Sequence, residues 1–586
     1  MLFLKASDFT RTLFFILSDF IIISFSTVFA YALRFDFDIP LEYTNSIAIT
    51  VAILSLSRIS LFYHFRIYNI SWRHFGFKDT TSLVYLTIFT TILFLTFTYF
   101  TRGIPNLIIP RSIIPIEFFI SLFLILALRV SKRLYLENSL KNVDGKSTII
   151  VASIDEANSI LRTINSVNSG YYPIAIINDQ HKNVKINGIE VYSIEQFLAL
   201  DLECEVAILD NSVKIKEYYN TFKKIGIHSI KVATGYSAYG AEIKNISVED
   251  LLARHPKDLD KSKIKEFIKN KVVLISGAGG SIGSEISRQC EKYGAKKLIL
   301  VDNSEYNLYA ISEEIQSVQK VSVMQSVVDK ELLSETFKRY TPDIVIHAAA
   351  YKHVPLVEEN IHEGILNNVQ GTKNIIDLSI EFGVRKFVMI STDKAVRPTN
   401  VMGTTKRICE LYAQNSNDKG TEIVAVRFGN VLGSSGSVIP KFKSQIESGK
   451  NITVTHPDIT RYFMLIPEAC ELVLQAGAIG KGGEIFILDM GEPIKIVDLA
   501  KKMIELSGRD DIEIEFSGLR AGEKLYEELL IDDSSAKTQY DSITVAKPTA
   551  YELDKLKKDI EELIQTKDKL TKLKEIVPEF NHQPNN

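Results

Sequence analysis

Residues 271 to 286 read KVVLISGAGGSIGSEI, and this stretch decides the fold of the second half of the chain. Its first six residues form an apolar, β-branched run typical of a buried strand, and the residues after the glycines suit the start of a helix. Gly277, Gly280 and Gly283 permit a tight turn, a close approach of the backbone to a phosphate, and packing of the helix on the strand. The pattern predicts a doubly wound parallel α/β sheet whose first loop binds a dinucleotide, in preference to a glycine turn of purely structural use.

The neighbouring residues indicate which dinucleotide binds. Ser281 and Ile282 open the predicted helix, whose N-terminus would hold the pyrophosphate. The next strand, KLILVD, ends in Asp302, 25 residues after Gly277. A carboxylate there accepts hydrogen bonds from a ribose 2′-hydroxyl and repels a 2′-phosphate, so the expected cofactor is NAD and not NADP.

Two further strands add candidate cofactor contacts. Asp329 ends the third predicted strand, where it could meet the adenine amino group or, equally, cap the following helix. The fourth strand runs into Ala348 and Ala349, whose small side chains would let the backbone approach the nicotinamide half of the cofactor.

The fifth predicted strand, KFVMIS, carries the candidate catalytic residues at its carboxyl end. Thr392, Asp393 and Lys394 place a hydroxyl, an acid and an amine where ligands bind in open α/β sheets. Lys406 follows in NVMGTTK and is a candidate for both catalysis and cofactor binding. The alternative is that Asp393 caps a turn and Lys394 is solvated.

The first 135 residues predict a four-helix membrane anchor. Apolar runs long enough to cross a hydrocarbon core occupy residues 12–33, 46–65, 80–101 and 107–128. Arg58 makes the second run the least secure, since its insertion costs about 2.5 to 3.5 kcal/mol, which about nine apolar neighbours would offset. Basic residues follow the second and fourth runs, so both chain ends are expected in the cytoplasm. A buried helical bundle in a soluble protein is the alternative.

The remaining chain divides by composition. Residues 146–235 alternate strands and helices but lack phosphate-binding glycines, which predicts a degenerate Rossmann-like domain without nucleotide; a divergent binding site is the alternative. Residues 236–268 read as a connector with helical parts, 269–535 as the catalytic domain with a smaller C-terminal substrate-binding part, and 536–586 as a solvated helical tail.

Composition excludes several classes of function. The net charge of -3 and the scattered basic residues give no field for nucleic acid. The four cysteines form no CxxC pair, which argues against a zinc site and a disulfide framework and fits the cytoplasm. We therefore expect no metal.

A series of motifs resembles one enzyme family. The chain is similar to the extended short-chain dehydrogenases, and specifically to the membrane-bound UDP-N-acetylglucosamine 4,6-dehydratases of bacterial surface-glycan and protein glycosylation pathways. The motifs that carry the resemblance follow in order over about 260 residues: GAGGSIGSEI, AAAYKHVPLVE, NNVQGT, STDKAVRPTNVMGTTK, RFGNVLGSSGSV, HPDITRYFM and LRAGEKLYEEL. The resemblance extends to the anchor and the intervening Rossmann-like domain.

The resemblance implies a function and a location. It implies an NAD-dependent lyase that converts UDP-N-acetylglucosamine into a 4-keto-6-deoxy sugar nucleotide with the C5 configuration retained. It implies a multi-pass protein of the bacterial inner membrane, in contact with lipid, with its catalytic part in the cytoplasm and with possible homo-oligomers. The product would pass to a sugar-nucleotide aminotransferase.

One position departs from the wider superfamily. Met402 replaces the usual catalytic Tyr, whereas the usual Lys remains as Lys406; long dehydratases similar to this chain also carry Met. Catalysis would then fall to three residues. Lys394 is expected to be the C5 base, with its pKa lowered by burial and by Lys406, Asp393 the acid at the C6 oxygen, and Thr392 a partner of O4.

The resemblance also implies substrate contacts. Asn430, Arg461, Arg520 and Glu523 would hold the nucleotide, although each alone would more often serve a surface ion pair. Lys352 and His353 could reach the sugar or be structural. A UDP-sugar 4-epimerase and a non-catalytic membrane scaffold are the alternative functions.

Overall fold

The computed structural model describes residues 8–70, 76–101, 108–139, 145–166, 169–181, 184–200, 202–237, 240–252, 258–416, 420–530 and 536–583. The chain divides into two compact units. One comprises Met1–Asp210, Ile227–Ser229 and Ala233–Ile243, and the other comprises Asn211–Gly226, Ile230–Val232 and Lys244–Asn586.

The four predicted N-terminal helices are confirmed. They are α1 (Asp8–Arg34), α2 (Thr44–His64), α3 (Phe77–Phe100) and α4 (Ile113–Ser139). Each contains a stretch long and apolar enough to cross a membrane. Arg73, one of the basic residues behind the predicted orientation, lies outside the described residues.

Asp19 and Arg58, the charged residues within the first and second apolar runs, are each paired inside the helix bundle. The guanidinium group of Arg58 on α2 donates to both carboxylate oxygens of Glu117 on α4, at 2.7 and 2.8 Å, and both side chains are buried. Asp19 on α1 pairs with Arg129 on α4 at 2.7 Å. Pairing removes the cost of an isolated charge in an apolar layer, which explains how Arg58 is accommodated in the second run.

A seven-stranded sheet follows the helices. Its strands are β1 (Lys146–Val151), β2 (Tyr171–Ile177), β3 (Lys185–Ile186), β4 (Ile189–Tyr192), β5 (Val206–Asp210), β6 (Ser229–Ser237) and β7 (Gly240–Asn245). The accompanying helices are α5 (Ile154–Ser166), α6 (Ile194–Ala199) and α7 (Ile215–Lys224). The strand order is β3-β4-β2-β1-β5-β6-β7, and β1 pairs in parallel with β2 and β5, as expected for a Rossmann-like domain.

The predicted connector, 236–268, is only partly a connector. Residues Gly240–Asn245 form β7 of the first sheet, followed by α8 (Val248–Leu252) and α9 (Lys261–Ile268). The strand escaped prediction because its outer residues are polar and exposed, as is usual at a sheet edge.

The second sheet has nine strands and carries the glycine-rich loop. The strands of this part of the chain are β8 (Val272–Ser276), β9 (Lys297–Asp302), β10 (Gln319–Met324), β11 (Ile344–His347), β12 (Lys386–Thr392), β13 (Glu422–Phe428), β14 (Asn430–Val431), β15 (Ile452–Val454), β16 (Thr460–Arg461), β17 (Phe463–Met464), β18 (Ile485–Leu488), β19 (Ile494–Lys495), β20 (Ile514–Phe516), β21 (Ala536–Lys537) and β22 (Ile543–Val545). The nine-stranded order is β10-β9-β8-β11-β12-β13-β18-β22-β21, with every pair from β10 to β18 parallel. The predicted doubly wound sheet is confirmed.

Helices cover this sheet and complete a smaller part beside it. They are α10 (Ser281–Lys292), α11 (Glu305–Glu314), α12 (Lys330–Tyr340), α13 (Val354–Glu359), α14 (Ile361–Gly364), α15 (Gly371–Glu381), α16 (Val401–Asn415), α17 (Val438–Glu447), α18 (Ile466–Ile479), α19 (Ile496–Ser507), α20 (Leu553–Gln565) and α21 (Lys569–Ile576). Helices α17 and α19 share a separate apolar core with β15. The smaller part therefore packs around a core of its own.

The C-terminal residues differ from the expected solvated tail. Strands β21 and β22 extend the nine-stranded sheet, and α20 and α21 bury one face in the core of the catalytic domain. Leu556, Ile560 and Leu563 recur at helical spacing and have no exposed surface. The dense charge of this segment lies on the remaining faces of the helices, which concealed the apolar stripe.

Candidate active site

A cleft of about 800 Å³ lies at the carboxyl ends of the central strands. The chain turns to opposite sides of the sheet after β8 and β11, and ligands of open α/β sheets bind at such a switch point. A smaller pocket of about 190 Å³ shares Gly280 and Ala348 with the cleft and extends to Asp302. The two cavities together offer one elongated binding site.

The glycine-rich loop owes its shape to the absence of side chains. Gly277 has φ +70°, and a Cβ atom there would lie 2.7 Å from the backbone nitrogen of Ala349. A Cβ atom at Gly283 would lie 2.0 Å from the carbonyl oxygen of Gly277. Gly280 caps α10 without a side chain, so Ser281 and Ile282 begin the helix at the wall of the cleft. The loop thus aims a helix N-terminus at the site of a phosphate.

Asp302 holds this loop in place. One of its carboxylate oxygens accepts a hydrogen bond from the Gly279 N–H at 2.9 Å, and the other accepts one from the Ser304 N–H at 2.9 Å. The residue also lines the smaller pocket. Each carboxylate oxygen retains a lone pair that could accept a further hydrogen bond. The contact with a ribose hydroxyl is compatible with this geometry and stays a prediction.

The remaining predicted cofactor residues divide into two groups. Ala348 and Ala349 line the smaller pocket, and Lys406 lines the cleft. Asp329 caps α12 by accepting from the Leu332 N–H at 3.1 Å, is exposed, and lines neither cavity. Its predicted contact with adenine is untested, and Gln325 is the residue that lines the smaller pocket from this strand end.

The three candidate catalytic residues are hydrogen-bonded to one another. The Thr392 hydroxyl donates to Asp393 Oδ1 at 2.8 Å, and the Lys394 ammonium donates to the same oxygen at 3.0 Å. Lys394 also donates to the amide oxygen of Asn430 at 3.2 Å. The end of β12 therefore brings an alcohol, an acid and an amine together as the sequence predicts.

Asp393 lies behind the other two residues. Thr392 and Lys394 line the cleft, whereas Asp393 has no exposed surface and is absent from the cleft wall. Its Oδ2 atom is buried without a hydrogen-bond partner among the described residues, 3.0 Å from where a Cβ atom of Gly429 would stand. A direct contact of this carboxyl group with a ligand would need the wall to open.

The expected lowering of the Lys394 pKa is wrong for this structure. Burial opposes the charged ammonium, but the carboxylates of Asp393 and Glu527 outweigh it and raise the pKa of Lys394. After burial, Arg461 is the cation that acts most strongly against this rise in the pKa of Lys394. Burial lowers the pKa of Lys406 itself.

Two further buried side chains, His347 and Met402, lie on elements that end at the cleft. His347 bridges Ser276 at 2.7 Å and Thr372 at 2.9 Å, and burial together with Lys406 lowers its pKa to about 3, so the ring is neutral. Met402 is 3% exposed and lines the cleft at the first turn of α16. Its thioether has no proton to give and is too weak a base to accept one.

The predicted substrate residues are only partly gathered at the cleft. Asn430, Lys352 and His353 line it, and burial lowers the pKa of both Lys352 and His353. The His353 ring lies against Gly436, where a Cβ atom would be 2.4 Å from Cε1. These three residues are placed to meet a ligand in the cleft.

Arg461, Arg520 and Glu523 do not line the cleft. Arg461 donates to the carbonyl oxygens of Thr460 and Lys524, at 2.7 and 2.9 Å. Arg520 is exposed, and its backbone N–H donates to the Glu523 carboxylate at 3.1 Å. Their contacts with a nucleotide stay predictions.

Sequence reasoning missed two charged residues near these positions. Lys441 on α17 faces Arg520, and burial and that neighbour lower the pKa of Lys441. Glu527 lies beside Lys394 and follows Glu523 by four positions in the same motif. The described residues hold no group of three or more His, Cys, Asp or Glu side chains suited to a metal ion.

Comparisons with known proteins agree with this geometry. A profile of the family described as polysaccharide biosynthesis protein matches residues 273–548. The chain is 38% identical to the capsular polysaccharide biosynthesis protein CapD of Staphylococcus aureus, over 96% of this chain and 98% of that protein. It is 35% identical to a UDP-N-acetylglucosamine 4,6-dehydratase (inverting) of Campylobacter jejuni, over 49% of this chain and 85% of that protein. It is 33% identical to a UDP-glucose 4-epimerase of Rickettsia rickettsii, over 46% of this chain and 80% of that protein.

Proposed function

The chain belongs to the polysaccharide biosynthesis protein family, extended short-chain dehydrogenases that act as nucleotide-sugar dehydratases and epimerases, and within it we propose a 4,6-dehydratase of UDP-N-acetylglucosamine that uses NAD. The product is the UDP-linked 2-acetamido-2,6-dideoxy-4-keto sugar, with the C5 configuration retained. One observation carries the proposal. Lys394 lines the cleft and is paired with the buried Asp393 behind it, which gives the amine and the acid that a dehydration needs, whereas a 4-epimerisation needs no acid at C6.

The residues around the glycine-rich loop fit NAD. A side chain at Gly277 would collide with Ala349, so only glycine lets the chain turn there. Helix α10 begins at the cleft wall, and a helix N-terminus favours the phosphate of a dinucleotide. Asp302 supplies a carboxylate that disfavours a 2′-phosphate. Bound NAD would supply the hydride acceptor for C4 and the hydride donor for C6. Lys406, on the cleft wall, would hold the nicotinamide half.

The residues of the chain would then perform the proton transfers. Once C4 is a ketone, the C5 proton becomes acidic, and Lys394 as free amine would remove it. When C4 is oxidised, the O4 proton would pass through the Thr392 hydroxyl to the Asp393 carboxylate behind it, which thereby becomes an acid. Asp393 would return this proton, again through Thr392, to the C6 hydroxyl, which leaves as water. As the hydride returns to C6, Lys394 would give C5 a proton that has exchanged with solvent.

A mass measurement tests the reaction class. Purified full-length protein is incubated with NAD and UDP-N-acetylglucosamine, and the expected product is lighter than the substrate by one water. The 4-epimerase alternative, favoured by the Rickettsia relative, gives a product of unchanged mass. A scaffold gives no product, and either result would refute the proposal.

An isotope measurement tests the role of the cofactor. Substrate deuterated at C4 should yield product that carries the label at C6, without net formation of NADH. Release of NADH in proportion to product would indicate a simple dehydrogenase.

The proposed location follows from the N-terminal helices. Four helices suited to a membrane support a multi-pass protein of the bacterial inner membrane, with the catalytic part in the cytoplasm. A 4-keto product is the substrate type of an aminotransferase, which we propose as the next enzyme. Protease treatment of intact and of opened cells tests the orientation, since the catalytic part should be cleaved only in opened cells.

A further inference from the structure

A carboxyl group outside the predicted set lies beside the candidate base. Glu527 is 4% exposed at its side chain, and its Oε1 atom lies 3.9 Å from Lys394 Nζ. Its Oε2 atom is buried and has no hydrogen-bond partner among the described residues. Burying a carboxyl group without partners costs free energy, so a packing role alone does not account for Glu527.

Lys394 consequently lies between two carboxyl groups. Asp393 Oδ1 stands 3.0 Å from its Nζ atom and Glu527 Oε1 stands 3.9 Å from it. Within the described part of the chain, each carboxyl group also has one buried oxygen without a hydrogen-bond partner. In a buried site both carboxylates favour the ammonium form of the lysine over the free amine.

Arg461 and Lys524 are further cations close to Glu527, and both Nη atoms of Arg461 donate to backbone carbonyl oxygens. The Nη2 atom of Arg461 lies 3.8 Å from Glu527 Oε1 and donates instead to the Lys524 carbonyl oxygen at 2.9 Å. Burial raises the pKa of the Glu527 carboxyl group more than Lys394 lowers it. The charged groups that face Lys394 or Glu527 are Asp393, Arg461, Lys352 and Lys524.

We infer that Glu527 is a positioning residue for Lys394, which holds the ammonium group at the cleft wall and sets the pH at which it becomes a free amine. The inference rests on the proposed role of Lys394 as the C5 base. No bond is made or broken at Glu527. It acts only on the balance between the two protonation states of the neighbouring lysine.

Replacement by glutamine tests the inference because it removes the charge and keeps the size. Glu527→Gln withdraws one of the two groups that favour the ammonium, so the pKa of Lys394 should fall. The ascending limb of kcat/KM against pH, measured in the full chain between about pH 6 and 10, should move to lower pH by about one unit. Glu527→Asp should move it less, since a carboxylate remains.

The neighbouring residue provides a matched control. Glu528 is half-exposed and pairs with Arg397 at 2.9 Å. Glu528→Gln should leave the limb where it is in the parent. A Glu527→Gln variant that is slower with an unmoved limb would show that Glu527 is merely structural and would overturn the inference.

A second measurement does not depend on turnover. The rate at which acetic anhydride labels Lys394, followed by mass spectrometry across the same pH range, reports the fraction of free amine directly. Faster labelling in Glu527→Gln than in the parent at a given pH supports the inference, and equal labelling overturns it. If labelling changes while neither protein removes water from UDP-N-acetylglucosamine, the proposed function fails and the effect of Glu527 on Lys394 stands.

Discussion

The Nζ atom of Lys394 lies 3.0 Å from the Oδ1 atom of Asp393, the residue that precedes it in the chain. Lys394 lines the cleft, whereas Asp393 has no exposed surface. An amine that can meet a ligand is thereby tied to a carboxyl group that cannot do so directly. This relationship explains why the pKa of Lys394 is raised, and it makes Lys394 the most informative residue to replace.

Lys394→Met should lower turnover by about 10² to 10⁴, the usual contribution of a general base, because methionine has similar length and no basic group. In heavy water the parent should place solvent deuterium at C5, and the variant should lose this exchange together with product. NAD binding should stay near that of the parent. The unfolding temperature should fall, because Asp393 and Glu527 lose their shared cation, so turnover is compared per folded molecule. Near-parent turnover would place the base elsewhere.

Met402→Tyr should change turnover by no more than about tenfold in either direction. The side chain lines the cleft, where a phenol could contact O4 without being required. Steady-state kinetics on UDP-N-acetylglucosamine measure the effect. If Met402→Tyr were active and the parent inactive, the proton acceptor at O4 would be the missing phenol and the roles given to Thr392 and Lys394 would be wrong.

Gly283→Ala should destabilise the catalytic domain by about 3 kcal/mol or more, because its Cβ atom would stand 2.0 Å from the Gly277 carbonyl oxygen. Gly280→Ala is the control in the same loop, since its φ is -71° and its nearest contact would be 3.3 Å. Thermal unfolding of the two variants measures the difference. Equal stability of both would mean that α10 can move away from the loop at little cost.

Arg58→Met should destabilise the helix bundle by about 3 to 5 kcal/mol, because Glu117 would remain buried without its partner. Replacing both residues with methionine should recover most of the loss. Thermal unfolding of the full chain in detergent measures both, and the dehydratase rate per folded molecule should not change. If Arg58→Met and the double variant unfolded at the same temperature, the ion pair would not contribute to the stability of the bundle.

The parts of the site that lie at strand ends could be predicted from the sequence. The carboxyl ends of parallel strands meet at one edge of a sheet, so Thr392, Lys394 and the glycine-rich loop were placed by the strand pattern alone. The roles of the loop glycines could be predicted as well, because a positive φ at Gly277 and close packing at Gly283 exclude other residues.

Side-chain direction could not be predicted in this way. Arg461 has the chemistry of a phosphate ligand, yet its guanidinium group is turned toward backbone carbonyls. Glu527 comes from a distant loop, and only the tertiary fold brings it to Lys394 and raises the pKa of that amine. Hydrophobic periodicity reports which residues are buried but not which charges meet.

Elements with strong surface charge were also hard to recognise. Strand Gly240–Asn245 and helix Leu553–Gln565 carry exposed polar residues on one side and buried apolar residues on the other. In both segments the charged side obscured the periodic apolar one, so they were expected to be a connector and a solvated tail.

The pairing of Arg58 with Glu117 constrains the order of events during synthesis. The two residues are separated by 59 positions, so the acidic partner is translated about 3 to 12 seconds after the basic one at ordinary elongation rates. During that interval α2 carries an uncompensated cation and is a poor candidate for release into lipid. The second helix should therefore be retained by the insertion machinery until α4 emerges, and the anchor should enter the bilayer as an assembled bundle.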